Sequence, residues 1–150
     1  MQIVLFQPEI PPNTGNVARL CAATQTPLHL IEPLGFSLDD RYLKRAGLDY
    51  WPHVDVHVLP CWAALVAHAA GRRLVLSSAR RGARFDRFAY RPDDLLVLGP
   101  ETRGLPEALL TAHSDHVRIP IRGAVRSLNM STAAGVLLYT ALAATGQLPD

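Results

Sequence analysis

The stretch Leu98-Gly99-Pro100-Glu101-Thr102-Arg103-Gly104-Leu105-Pro106 sets one carboxylate, one hydroxyl and one guanidinium between two glycines. Glycine lets the backbone approach a ligand closely while the charged groups face it. The apolar run Leu95-Leu96-Val97-Leu98 leads into this loop and ends in Gly-Pro, the signature of a buried strand delivering its C-terminal end into a tight turn. Open α/β sheets place their ligands at such strand ends. The Gly99-x-x-x-x-Gly104 spacing mimics half of a phosphate-binding loop, but Leu105-Pro106 stand where Lys and Ser/Thr would hold phosphates and magnesium. That argues against a nucleoside triphosphatase. No G-x-G-x-x-G follows a candidate strand, so the dinucleotide-binding fingerprint is absent as well.

Two other segments are too polar for core packing. One is Asn13-Thr14-Gly15-Asn16-Val17-Ala18-Arg19, preceded by Glu9-Ile10-Pro11-Pro12; the other is Ile119-Pro120-Ile121 followed by Arg126-Ser127-Leu128-Asn129-Met130-Ser131. With the glycine-bracketed loop they supply amides, hydroxyls and fixed cations but no obvious nucleophile, which suits a transferase better than a hydrolase. Each also has a structural reading. Asn13 and Asn16 could be turn and cap residues with Arg19 on a helix surface, and Ser127 and Ser131 could cap the last helix with Asn129 in a turn. Three such coincidences in one small domain are the weaker explanation. Tyr139 is either a core tyrosine with a satisfied hydroxyl or one whose hydroxyl reaches the surface. His53 and His57 read as lying along a strand, while His113 and His116 flank a turn. No metal is expected from them. Cys21 and Cys61 are isolated and read as buried thiols.

The elements that must position these groups are legible as alternation. Ile3–Phe6, Leu28–Ile31, Val54–Val58, Leu74–Leu76, Leu95–Leu98 and Val117–Ile119 are short β-rich runs separated by helical patterns, which predicts a mostly parallel α/β sheet with helices on both faces. At 150 residues and 49% apolar, the chain suits a single domain over 1–150 with a full core. Asn13 or Thr14 caps a first helix, Asp39-Asp40 cap Arg41–Ala46 before Gly47, and Pro60 opens Cys61–Ala70 before Gly71. Pro106 opens a helix at its first position. The last helix, Ser131 to Ala144, is apolar around most of its circumference. It is either central to the fold or covered by a second subunit, and the homodimer is favoured.

Net charge is +2, and fourteen of the fifteen basic residues are Arg. This bias fits a phosphate-bearing partner or simply GC-rich coding. The piece Arg80 to Arg87 reads as a solvated connection or as a basic contact for a phosphate backbone, with Phe85 and Phe88 free to stack on a base. The first residues carry neither a basic leader nor an apolar stretch of signal-peptide length, and Ala133 to Ala144 is too short to span a bilayer. A cytoplasmic protein without membrane contact is expected.

The three polar segments resemble the three signature motifs of the SPOUT superfamily of RNA methyltransferases. Gln7 to Asn16, Glu32-Pro33-Leu34-Gly35-Phe36 and Arg45-Ala46-Gly47-Leu48-Asp49-Tyr50 extend the likeness over essentially the whole chain, toward the bacterial branch acting on the tRNA wobble cytidine or uridine. The resemblance implies a five- or six-stranded α/β domain with a C-terminal trefoil knot, working as a homodimer on tRNA. It implies S-adenosylmethionine as cofactor, held by Ser77 with its neighbour Ser78, and by Gly99, Ile119, Ser127 and Leu128. Arg19, Glu101 and Asn129 are the implied catalytic positions, and Asn13, Asn16 and Tyr139 are expected to meet the RNA. Arg19 is expected to reach the partner subunit's site. A guanidinium with pKa above about 12 is a poor proton acceptor, so stabilising the emerging alkoxide is its safer role. Departures are Arg122-Gly123-Ala124-Val125 before Arg126, and Arg80-Arg81-Gly82 in place of a Thr-Lys-Gly-like turn. Two rivals remain: methylation at another tRNA or rRNA site, and a catalytically silent RNA-binding module.

Overall fold

The computed structural model describes residues 1–39, 41, 43, 45 and 50–150. Of the expected helix Arg41–Ala46, Arg41, Leu43 and Arg45 are described and are helical; its other positions, Asp40 of the expected cap, the Gly47 stop and most of the Arg45–Tyr50 stretch lie outside the described residues. One sheet contains β1 (Gln2–Phe6), β2 (Leu28–Ile31), β3 (Val56–Leu59), β4 (Leu74–Ser77), β5 (Ala83–Arg84), β6 (Leu95–Leu98) and β7 (His116–Arg118). The helices among the described residues are α1 (Pro11–Thr24), α2 (Trp62–Ala69), α3 (Glu107–Ala112) and α4 (Met130–Ala144). Strand order is β3-β2-β1-β6-β4-β7-β5 and every pairing is parallel. The expected architecture is present with seven strands instead of five or six. The extra one, β5, is a two-residue strand inside the Arg80–Arg87 piece, too short to leave an apolar signature. β3 starts at Val56, because the Val54 amide closes the 3-10 turn Trp51–His53 by bonding the Trp51 carbonyl at 3.2 Å. His53 is therefore not on a strand.

Side-chain alternation along the strands divides the core in two. Ile3, Leu5, Leu28, Leu30, Leu96 and Leu98 pack with Val17, Ala18 and Cys21 of α1 and with Ala134, Leu137, Leu138 and Ala141 of α4. Val4, Phe6, Ile31, Leu76, Leu95 and Val97 meet Leu65 and Ala69 of α2 and Leu110 of α3 on the other face. Burial on both faces is why these strands read as continuous apolar runs.

Helix starts differ from expectation in instructive ways. α1 begins at Pro11, where two prolines occupy the first turn, whose amides need no intrahelical acceptor. Asn13 and Thr14 are consequently inside the helix and buried, and neither caps it. At α4 the cap is Asn129, whose side chain accepts from the Ser131 amide at 2.9 Å and the Thr132 amide at 3.4 Å, so Ser127 and Ser131 are not caps. α2 is shorter than Cys61–Ala70: Cys61 sits at its N-cap and Ala70, in the left-handed region at φ 50°, ends it. Pro106 likewise precedes α3 at the cap position. Cys21 is buried, which pushes its thiol up to about 12, whereas Cys61 is exposed, against expectation. Phe85 and Phe88 pack against the core, and Phe88 lies under the Arg73 guanidinium at 4.9 Å. Core packing occupies both rings, which corrects the reading of them as free stacking platforms.

Parallel register sets His29 of β2 beside His57 of β3, with ring centroids 4.9 Å apart, and His68 of α2 closes over them at 4.4 Å from His29. His29 is fully buried and its Nε2 meets Gln2 Oε1 at 2.8 Å. Burial first, then His68 and His57, push its pKa down from 6.5 to about 4. The unfolded chain binds a proton at His29 at a pH where the folded chain does not, so stability falls as pH drops from 6.5 toward 4. The expected loss from this one group is roughly 3 kcal/mol across that window. Urea unfolding at pH 7 and pH 4.5 measures it, and His29→Leu should flatten the difference.

Candidate functional site

Beyond the C-terminal ends of β4, β6 and β7 lies a cleft of about 260 Å³, near the lower bound of typical ligand pockets, about 300 Å³. The strand order explains its position. The chain steps outward from β1 to β2 to β3, then returns to β4, and β6 inserts between β1 and β4. Such a reversal leaves a crevice at the strand ends. Three chain segments wall the cleft: Ser77 at the end of β4 with Ser78 and Ala79 after it, Gly99 to Gly104 after β6, and Ile119, Ile121, Ser127 and Leu128 after β7. Met130 and Ala133 of α4 complete it.

Gly99 makes the tight return of the β6 loop. A methyl group there would lie 2.3 Å from the Leu105 nitrogen and 2.5 Å from the Gly104 carbonyl carbon. The loop closes on itself through the Gly104 amide, which donates to the Pro100 carbonyl at 2.8 Å. Glu101 in this loop accepts the Glu9 amide on Oε2 at 2.7 Å, while its Oε1 is buried and has no hydrogen-bond partner among the described residues. Thr102 reaches the other way: its amide and hydroxyl donate to Glu9 Oε1 at 3.2 and 2.7 Å. The Thr102 hydroxyl, then its amide, hold the Glu9 carboxyl below its ordinary range. Asn129 Nδ2 donates to Asn13 Oδ1 at 3.0 Å, joining the first polar segment to the third beside Leu128.

Six sequence-derived candidates thus come together in the cleft wall: Ser77, Gly99, Glu101, Ile119, Ser127 and Leu128. Asn13 and Asn129 bond each other at its edge. Arg19, Asn16 and Tyr139 do not line it. They are exposed on α1 and α4, two helices in mutual contact, and Arg19 stacks over the Tyr50 ring at 5.0 Å. At 44% exposure Tyr139 is not a core tyrosine. α4 is likewise not central: one side is buried while Tyr139, Ala143 and Ala144 face outward. Glu9 and Thr102 were not identifiable as a pair from sequence, since 93 positions separate them and no local spacing links them.

The model of the SpoU rRNA methylase family matches residues 1–139. A tRNA (cytidine(34)-2'-O)-methyltransferase of Methylovorus glucosotrophus (strain SIP3-4) is 52% identical over 141 residues, covering 93% of this chain and 92% of that protein. A solved structure described as giving structural insights into the 2-OH methylation of C/U34 on tRNA superposes with a TM-score of 0.91 at 49% identity, over 95% of this chain and 94% of that one. The SpoU methyltransferase AviRb from Streptomyces viridochromogenes, solved in complex with the cofactor AdoMet, shares the fold with a TM-score of 0.84 at 24% identity, over 95% of this chain and 59% of that one.

Proposed function

The chain belongs to the SpoU rRNA methylase family, and from that premise we propose that it transfers a methyl group from S-adenosylmethionine to the ribose 2′-hydroxyl of the tRNA wobble nucleotide, cytidine or uridine 34. One observation carries the reading: three polar segments far apart in sequence wall or adjoin a single cleft, in a chain 52% identical to a protein named for this reaction.

The cleft fits the cofactor chemically. Its wall mixes small side chains, main chain and apolar contacts, and it contains a buried carboxylate oxygen, Glu101 Oε1, with no donor among the described residues. A bound amine or hydroxyl would satisfy that oxygen, since a buried unpaired acceptor is costly. Ser77, Gly99, Ile119, Ser127 and Leu128 would hold the cofactor. When bound, S-adenosylmethionine supplies an electrophilic methyl group on a sulfonium. The chain must align the ribose hydroxyl in line with that group and ease its proton away. Arg19 supplies a fixed positive charge for the emerging alkoxide. Asn129 holds Asn13 and the start of α4 in place through its Oδ1 and one Nδ2 hydrogen, and the second Nδ2 hydrogen would orient the ribose or the cofactor. Asn16 and Tyr139 are exposed and available to the RNA.

The reading includes a homodimer. Gly135 lies in the middle of α4, and a methyl group there would meet nothing within 4 Å. An interior helix glycine costs about 0.5–1 kcal/mol relative to Ala. Close approach of a partner backbone accounts for that cost, and it would bring Arg19 of α1 to the partner's cleft. The C-terminal trefoil knot and a cytoplasmic site of action belong to the same reading. No helix among the described residues is long and apolar enough to cross a membrane.

Gly99→Ala should weaken S-adenosylmethionine binding by at least about tenfold in calorimetry, because the clash is with backbone that no side-chain rotation relieves. For the function itself, total tRNA from a strain lacking the gene is incubated with protein and S-adenosylmethionine, and ribose methylation is mapped. A new 2′-O-methyl group at nucleotide 34 supports the reading; methylation elsewhere favours the other-site rival. Neither methylation nor cofactor binding would leave a silent RNA-binding module.

A further inference from the structure

Glu9 does not line the cleft, yet it holds two residues that do. Its main-chain amide donates to Glu101 Oε2 at 2.7 Å, and its carboxylate accepts from both the amide and the hydroxyl of Thr102. The exchange is reciprocal: backbone at position 9 fixes a side chain at 101, and the side chain at 9 fixes backbone and hydroxyl at 102. The two loops are thereby tied across 92 and 93 positions of sequence. Glu9 cannot recede, because Gly35 presses on it from behind. The Gly35 amide donates to the Pro8 carbonyl at 2.9 Å, and a methyl group at 35 would lie 2.8 Å from Glu9 Cα.

We propose that Glu9 is a positioning residue for the transfer reaction, acting through Glu101: it sets that carboxylate in the cleft wall with one oxygen engaged and the other left for a bound molecule. This rests on the function proposed above. Two carboxylates on facing loops repel one another unless donors separate them. Here the donors are the Glu9 amide for Glu101 and the two Thr102 groups for Glu9. Loss of the Glu9 side chain frees Thr102 and lets the Glu101 loop drift, although no atom of the Glu9 side chain is in the cleft wall. A Gln at position 9 keeps an amide oxygen for Thr102, so it should substitute well.

The test is a double-mutant cycle. Glu9→Ala should lower kcat at least about tenfold while KM for tRNA stays within about twofold, and Glu9→Gln should remain within about threefold of the unaltered enzyme. In a Glu101→Gln background, Glu9→Ala should cost less than about twofold, the non-additivity expected when one residue acts through another. Equal losses in both backgrounds would overturn the proposal and make Glu9 a general scaffold residue. A second arm needs no activity: amides 101 to 104 should exchange with deuterated solvent at least about tenfold faster in Glu9→Ala, and unchanged exchange overturns the contact's role. Should the unaltered chain fail to methylate tRNA, the functional reading falls, and the exchange arm still decides whether Glu9 positions this loop.

Discussion

Arg73→Ala should destabilise the fold by about 3–5 kcal/mol, since it leaves a buried carboxylate without its counter-charge. Asp94 is fully buried, and Arg73 grips it through two parallel bonds, Nε to Oδ1 at 2.8 Å and Nη2 to Oδ2 at 2.7 Å. The same guanidinium donates to the Ala89 carbonyl at 2.8 Å and lies over the Phe88 ring. Asp94 Oδ2 also accepts the Arg91 amide at 2.8 Å. These residues stand at the entries to β4 and β6, at the opposite end of the strands from the cleft, so the cost should appear in folding and not in the chemistry. Arg73→Lys should fall between, because an ammonium cannot reproduce the two-pronged grip. Replacing both partners by Met and Leu should cost less than Arg73→Ala, because no charge is then stranded. Urea midpoints at unchanged slope measure each variant. A loss below about 1 kcal/mol for Arg73→Ala would mean that water reaches Asp94 after all.

This pair shows where sequence reasoning stops. Leu95–Leu98 and Ile3–Phe6 were legible as strands because burial on both faces leaves an unbroken apolar run. The cleft residues were legible because Gly99, Glu101, Ser127 and Leu128 fall within short motifs whose spacing survives in one dimension. Arg73 and Asp94 carry no such mark: they are ordinary charges at strand entries until β4 and β6 pair. His29, His57 and His68 are likewise scattered until the parallel register stacks them. The cap readings at Asn13, Thr14, Ser127 and Ser131 failed because several residues competed for one position. At α1 the Pro11-Pro12 signal wins, since proline is pre-set for the first turn. At α4 Asn129 wins, since its short amide reaches two amides at once. Phe85 and Phe88 misled for a related reason: a ring in an Arg-rich stretch gives no local sign of whether core or solvent takes it.

Arg19→Ala should abolish turnover while leaving S-adenosylmethionine affinity nearly unchanged, because Arg19 is absent from the cleft wall of its own chain. Asn13 at the cleft edge lies six residues earlier on α1, about 9 Å along the helix axis. Arg19 is exposed on α1, which packs against α4, and α4 exposes Tyr139 one turn beyond Gly135. If that face of α4 is the dimer interface, two proteins should restore each other when assayed at an S-adenosylmethionine concentration too low to load the Gly99→Ala cleft. Arg19→Ala retains an intact cleft, and Gly99→Ala retains an intact Arg19. Mixed at equal concentration and allowed to exchange subunits, half the dimers carry one of each, and one of their two sites combines a working cleft with a working arginine. Activity should therefore recover to about a quarter of the unaltered level. Recovery to that level requires Arg19 to act across the interface. No recovery, with subunit exchange verified by mass, would confine Arg19 to its own chain and require α1 to move toward the cleft when RNA binds.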